Sequence, residues 1–169
     1  MLLLIYLADR QKIMKSYHLL ALPLLAALLL PSTIMAQTAQ EEAAAIYELS
    51  GVKGGFVVHV GCGDGTLTTA LRSGKQFQVH GLALAEDQLE AARSVVKQQG
   101  VYGPVAIDML HSGQLPYIDN LVNLLVIDRG SDIQQEEILR ILTPGGVAVT
   151  RKGEGWKKQV KPRPDNIDD

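Results

Sequence analysis

From residue 51 onward, short apolar runs alternate with stretches whose apolar positions recur every three or four residues. Runs of the first kind read as buried strands and stretches of the second kind as amphipathic helices. Phe56 to Val60 is the first strand, and three glycines at alternate positions, Gly61, Gly63 and Gly65, follow it. A helix over about Thr66 to Ser73 turns Leu67, Ala70 and Leu71 inward, with Gly74 as its stop. Gln76 to Leu82 is the second strand. The next helix, about Glu86 to Gln99, lines up Leu89, Ala92 and Val96. Its acids Glu86, Asp87 and Glu90 come early and Arg93 and Lys97 late, which suits the helix dipole. A third strand covers Val105 to Asp108, and Leu115-Pro116-Tyr117 opens a loop. Leu121 to Ile127 is the most apolar strand and ends at Asp128. Ser131 and Gln134 form a capping-box pattern for a helix to about Leu142, and Pro144-Gly145-Gly146 leads into a fifth strand, Val147 to Thr150. Such alternation predicts one doubly wound α/β domain, its sheet mostly parallel, with helices on both faces.

The two ends follow other patterns. Residues 37–50 are helical in composition, with Gly51 as a stop. Residues 14–36 resemble a secretory signal peptide: Lys15, an apolar core from Leu19 to Leu30, then a small residue, Ala36, before the expected cleavage point. Met14 then reads as the start, with residues 1–13 an upstream extension. An N-terminal membrane anchor is the alternative, against which Pro23, Pro31 and the modest length count. Residues 152–169, with Lys157, Lys158, Lys161, Arg163 and two prolines, read as an exposed tail or linker that Trp156 docks on the domain. Net charge is −2, so no basic field suggests nucleic acid as a partner. Cys62 is the only cysteine, which excludes an internal disulfide.

The candidate chemistry lies in the turn Gly61-Cys62-Gly63-Asp64-Gly65. Glycines there let the backbone turn sharply and approach a ligand, and the following helix points free N–H groups at it. Dinucleotide sites prefer Gly-x-Gly-x-x-Gly, but Thr66 stands where their third glycine would be. The wider pattern adds Val79-His80-Gly81-Leu82, Asp108-Met109, Leu115-Pro116-Tyr117 and Leu142-Thr143-Pro144-Gly145-Gly146. In order and spacing, residues 51–151 resemble the class I S-adenosylmethionine-dependent methyltransferases, whose fold is Rossmann-like. More narrowly, Val58 to Gly65, Leu115-Pro116-Tyr117 and Lys161-Pro162-Arg163-Pro164 resemble a methyltransferase-like module of exported bacterial proteins that precedes a quinoprotein-type β-propeller. The narrower resemblance implies an exported, periplasmic protein and a downstream propeller in longer relatives.

The resemblance implies that Gly61, Cys62, Gly63, Asp64 and Gly65 wall the amino-acid and ribose portion of S-adenosylmethionine. It implies that Asp108 accepts from the adenine amino group, that Met109 lies against the ring, and that Asp128 faces the methionine end or the substrate. It also implies two last strands for which the residues after Thr150 hardly suffice, so an incomplete sheet edge is expected, covered by the tail or by a partner. Two positions depart from the pattern: His59 and Ala83 stand where the family carries acids. A charge-assisted hydrogen bond is worth roughly 1.5–3 kcal/mol, so the loss at Ala83 weakens cofactor binding by about tenfold to a hundredfold. Plainer roles stay open for each residue. Cys62 fits as a small turn residue, Asp64 as a turn former, His59 as a buried strand residue, Asp128 as a cap or loop anchor, and His80 and His111 as surface residues. No metal-ligand spacing joins the histidines. Two functions follow: methyl transfer to an unknown acceptor, or a binding or scaffold module that has lost the cofactor. A dinucleotide oxidoreductase fails on the glycine spacing and on the missing acid.

Overall fold

The computed structural model describes residues 30–128 and 130–164. Its contacts divide the chain into Met1–Gln37 and Thr38–Asp169. The expected extension at 1–13 and most of the leader at 14–36 lie outside the described residues. Helix α1, Leu30–Ser50, begins ahead of the predicted Gln37, so the expected cleavage point falls inside it. Among the described residues no helix is long and apolar enough to cross a membrane.

Six strands form one sheet: β1 (Gly55–Val60), β2 (Phe77–Ala83), β3 (Val105–Met109), β4 (Val122–Ile127), β5 (Leu142–Lys152) and β6 (Gly155–Val160), in the order β3-β2-β1-β4-β5-β6. The first five are parallel and β6 runs antiparallel to β5. The strand order reverses between β1 and β4, so their carboxyl ends frame the crevice where ligands bind in open α/β sheets.

Alternate residues of each strand serve opposite faces. Val57, Val79, Leu124, Val126 and Val149 pack beneath Ile46 of α1, Leu67 and Leu71 at helix α2 (Thr66–Ala70), and Leu89, Ala92 and Val96 of helix α3 (Glu86–Gln98). Val58, Val60, Leu82, Leu125 and Ile127 pack on the other face against Leu115 and against Ile138 and Ile141 of helix α4 (Gln135–Ile141). Burying each such aliphatic side chain contributes roughly 1.5–3 kcal/mol, which is why the apolar rhythm of the sequence fixes these strands.

The Rossmann-like, doubly wound architecture matches the expectation, and three local readings change. The supposed tail contains β6, which pairs Val147 with Val160 and Arg151 with Trp156 and so covers the edge of β5. Lys157 and Lys158 hid this strand, although exposed lysines suit a strand whose far edge faces water. The capping box does not form. Helix α4 starts at Gln135 with no side-chain cap, and Ser131 Oγ instead donates to the Asp128 carbonyl at 3.0 Å. Finally, β5 begins at Leu142 and takes in Pro144-Gly145-Gly146, because Leu142 pairs with Val122 ahead of a register shift in the β4–β5 ladder.

That shift leaves Asn123 a structural task on the other side of β4. The β1–β4 ladder starts only at Val57 and Leu124, and the Phe56 amide donates to Asn123 Oδ1 at 2.8 Å. Asn123→Ala should therefore leave this half-buried amide without its acceptor and lower the unfolding free energy by about 1–3 kcal/mol in urea titrations.

Candidate functional site

The turn after β1 is built from left-handed backbone. Gly61, Gly63 and Gly65 have φ of 77°, 52° and 83°. The amides of Gly61 and Cys62 both donate to the Leu82 carbonyl, at 2.9 and 3.2 Å, which ties the turn to β2. Thr66 N donates to Asp64 Oδ1 at 2.9 Å, so Asp64 shapes the turn while lying exposed. Gly65 is set by packing as well as by φ: a Cβ there would lie 2.8 Å from Ala92 Cα, so α3 sits directly on the turn. A Cβ on Gly63 would meet nothing within 4 Å. The bare rim of the turn is thus at Gly63, open to a ligand.

Cys62 departs from its expected place in the wall. Its side chain is 3% exposed and belongs to the core beneath the sheet, beside Gly81. Burial pushes the thiol up to about 11, so it stays protonated and is no nucleophile. Only its backbone faces the turn. Helix α2 spans just Thr66–Ala70, so its dipole adds little to the site.

The two departures from the acidic pattern are both deep. His59 is 1% exposed, and its Nδ1 lies 2.8 Å from Thr68 Oγ1 while Nε2 has no hydrogen-bond partner among the described residues. Burial holds its pKa down to about 4, and the Arg151 charge reinforces this against the opposite pull of Asp128. The imidazole is therefore neutral. Ala83 is wholly buried at the end of β2, and the chain passes on to Leu84, whose amide meets Gln88 Oε1 at 3.3 Å. Leu84 reaches across the crevice: its Cδ1 would lie 3.5 Å from a Cβ on Gly130, in the loop after β4. Beside this contact is a cleft of about 270 Å³ lined by Leu84, Leu110, His111, Gly130 and Ile133.

Asp108 and Met109 line a second cleft of about 540 Å³, together with Leu89, Glu86 and Pro116. None of the turn glycines lines either cleft. Asp108 is held from two sides, with Oδ2 2.9 Å from His80 Nε2 and Oδ1 3.1 Å from an Arg93 nitrogen. His80 is therefore no idle surface residue. Its Nδ1 is 2.8 Å from the Tyr117 hydroxyl, and Phe56 and Tyr117 meet edge to face at 5.6 Å.

At the mouth of β4, Asp128 borders a cleft of about 420 Å³, but its carboxylate is engaged in an ion pair. Arg151 binds both its carboxylate oxygens and also reaches Glu42 of α1 at 2.6 Å, with the guanidinium 4.0 Å from the Trp156 ring centre. The carboxylates raise the pKa of Arg151, so it stays charged. Sequence reasoning missed Arg151, Glu42, Arg93 and the joining of His80 to Tyr117. Leu115-Pro116-Tyr117 did mark the loop that carries the phenol. Nothing in the sequence signals a pair such as Arg151 and Glu42, which are 109 residues apart. Among the described residues no cluster of His, Cys, Asp and Glu could hold a metal.

Comparison with known proteins agrees with this fold. The profile of the methyltransferase-domain family matches residues 57–146, more than half of the chain. The methyltransferase GfsG of Streptomyces halstedii is 30% identical over 125 residues, covering 69% of this chain and 45% of its own. The chain spans less than half the length of the curated relatives it matches. Among solved structures, a protein of Methanococcus maripaludis described as an S-adenosyl-L-methionine-dependent methyltransferase superposes with a TM-score of 0.64 at 23% identity, over 72% of this chain and 58% of its own. Geranyl diphosphate C-methyltransferase from Streptomyces coelicolor, solved with Mg²⁺, geranyl diphosphate and S-adenosyl-L-homocysteine, superposes with a TM-score of 0.58 at 19% identity, over 65% and 44%. At these identities the solved structures establish the fold.

Two measurements test the local chemistry. The unfolded chain binds a proton at His59 that the folded chain refuses. Stability should therefore fall as pH drops below the ordinary value of 6.5 and level off near 4, a total loss of about 3 kcal/mol. Urea unfolding across that range should show the slope in the wild type and lose it in His59→Asn. Cys62 should resist a thiol reagent in the native protein and react fully after denaturation; fast native labelling would contradict its burial.

Proposed function

The chain belongs to the methyltransferase-domain family, and from that premise we propose that it binds S-adenosylmethionine at the carboxyl edge of β1, β2 and β3 and takes part in methyl transfer. The observation that carries this reading is the turn itself: three left-handed glycines, with a bare rim at Gly63, on a strand paired to β2, which ends at Ala83, with β3 beyond it ending at Met109. The residues present fit the cofactor at the turn and at Asp108, and fit it poorly at Ala83. When bound, S-adenosylmethionine supplies a methyl group on an already activated sulfonium, which passes to a nucleophile of the acceptor. The chain's own part is to bind and orient. Gly61–Gly65 would border the amino-acid and ribose portion, Asp108 would accept from the adenine amino group, and Met109 would cover one side of the ring. Leu84 would have to give way from Gly130 for the ribose to enter. Asp128 is engaged by Arg151 and makes a poor general base, so the rate gain would come from proximity and orientation.

A second reading is favoured by Ala83, His59 and the Leu84–Gly130 contact: a binding or scaffold module with a relic pocket. Export of the protein, supported by the pattern at residues 14–36, favours it too, since the cofactor is made and used in the cytoplasm. A downstream β-propeller in longer relatives belongs to the same proposal and is supported by the Lys161-Pro162-Arg163-Pro164 resemblance.

Calorimetric titration of the full chain with S-adenosylmethionine separates the two readings. Methyl-transfer competence predicts measurable binding, tightened about tenfold by Ala83→Asp through a restored charged hydrogen bond. If neither protein releases heat nor gains melting temperature at millimolar cofactor, the first reading fails.

A further inference from the structure

On one face of β2, a hydrogen-bonded chain crosses from the 115–117 loop to the edge strand. Tyr117 Oη lies 2.8 Å from His80 Nδ1, His80 Nε2 lies 2.9 Å from Asp108 Oδ2, and Arg93 closes the chain at 3.1 Å from Asp108 Oδ1. Each link is held by packing or by further hydrogen bonds. Phe56, His80 and Tyr117 form an aromatic trio with centroids 5.6–6.5 Å apart. The loop bearing Tyr117 is pinned by Arg140, which donates to the Tyr117 carbonyl at 2.7 Å and the Leu115 carbonyl at 3.1 Å. Arg93 is anchored through Nε to the Ile107 carbonyl at 3.0 Å.

The direction of the central link follows from the carboxylate. A carboxylate oxygen only accepts, so His80 Nε2 carries the proton that is donated to Asp108, and Nδ1 meets the Tyr117 hydroxyl. Burial and the nearby Asp108 charge push the Tyr117 phenol above its ordinary pKa, so it keeps its proton. Asp108 meets one donor on each oxygen, and each oxygen has a second acceptor position. Its side chain is 60% exposed and borders the cleft that also holds the apolar Leu89, Met109 and Pro116. An acceptor carboxylate beside apolar groups suits a flat heterocycle that presents an exocyclic amine. A carbonyl at the same position would face the carboxylate lone pairs unpaired.

We propose that Tyr117, His80 and Arg93 are positioning residues that lock Asp108 as a pure acceptor, so that the site selects a 6-aminopurine nucleoside over its 6-oxo counterpart. The inference rests on the cofactor reading above and deepens it by assigning selectivity to side chains behind Asp108.

The test is calorimetric titration of the full chain with S-adenosylhomocysteine and S-inosylhomocysteine, alongside His80→Phe and Tyr117→Phe. The wild type should prefer the adenosyl ligand by about tenfold or more, since a site built to accept a hydrogen bond rejects an analogue that cannot donate it. His80→Phe, which keeps a ring in the trio, should reduce that ratio at least several-fold, and Tyr117→Phe should reduce it less. A loss in affinity for both ligands with the ratio unchanged would mark a merely structural role and overturn the inference. So would a wild type that binds both ligands equally. If the wild type binds the adenosyl ligand selectively and both variants keep that selectivity, the inference fails while the cofactor reading stands. If the wild type binds neither, both fail. Nitrogen NMR of the wild type gives a readout that needs no variant to fold: the His80 ring should show a proton on Nε2, and an Nε2 without a proton would refute the lock.

Discussion

The close approach of Gly65 to Ala92 governs the geometry at the carboxyl edge of the sheet. A Cβ at Gly65 would sit 2.8 Å from the Ala92 backbone, so α3 can rest on the turn only because that position carries none. Ala92 is followed directly by Arg93, and the same contact therefore delivers a guanidinium to Ile107 and Asp108 on β3. On its other side the turn hangs from the Leu82 carbonyl. One glycine thus links the bend after β1 to β2, to α3 and, through Arg93, to the edge strand.

At the opposite side of the switch point the controlling contacts are ionic. Arg151, its side chain 14% exposed, binds Asp128 and Glu42 and lies over Trp156. Such a cluster costs desolvation for every charge it buries, and removing one partner strands the others. It joins α1, β4, β5 and β6, which suggests fixing of geometry more than a gain in stability. It also takes Asp128 out of contention as an open catalytic base.

Between these two regions the site is uneven. The turn has a bare rim at Gly63 and Asp108 stands exposed at the end of β3, while Ala83 is apolar and buried and Leu84 leans toward Gly130. A fold may keep its sheet and turn long after the polar contacts of the ligand have changed, because the apolar strands and the glycines answer to packing.

By itself the sequence determined the first five strands, their parallel sense, the glycine turn and the family. These depend on local signals: apolar runs such as Leu124–Ile127, alternate glycines at 61, 63 and 65, and helix stops such as Gly100. It also located Asp108, Met109 and the Leu115-Pro116-Tyr117 loop, since strand ends are visible in the pattern. Only the tertiary structure decided that residues 155–160 pair with β5, because two adjacent lysines mask a strand whose pairing partner lies elsewhere in the chain. It alone turned the Cys62 thiol into the core, set Asp128 against Arg151 and joined Tyr117 to His80 across 37 residues. Contacts between distant positions leave no periodic trace along the chain; they exist only once the sheet has fixed which side chains share a face.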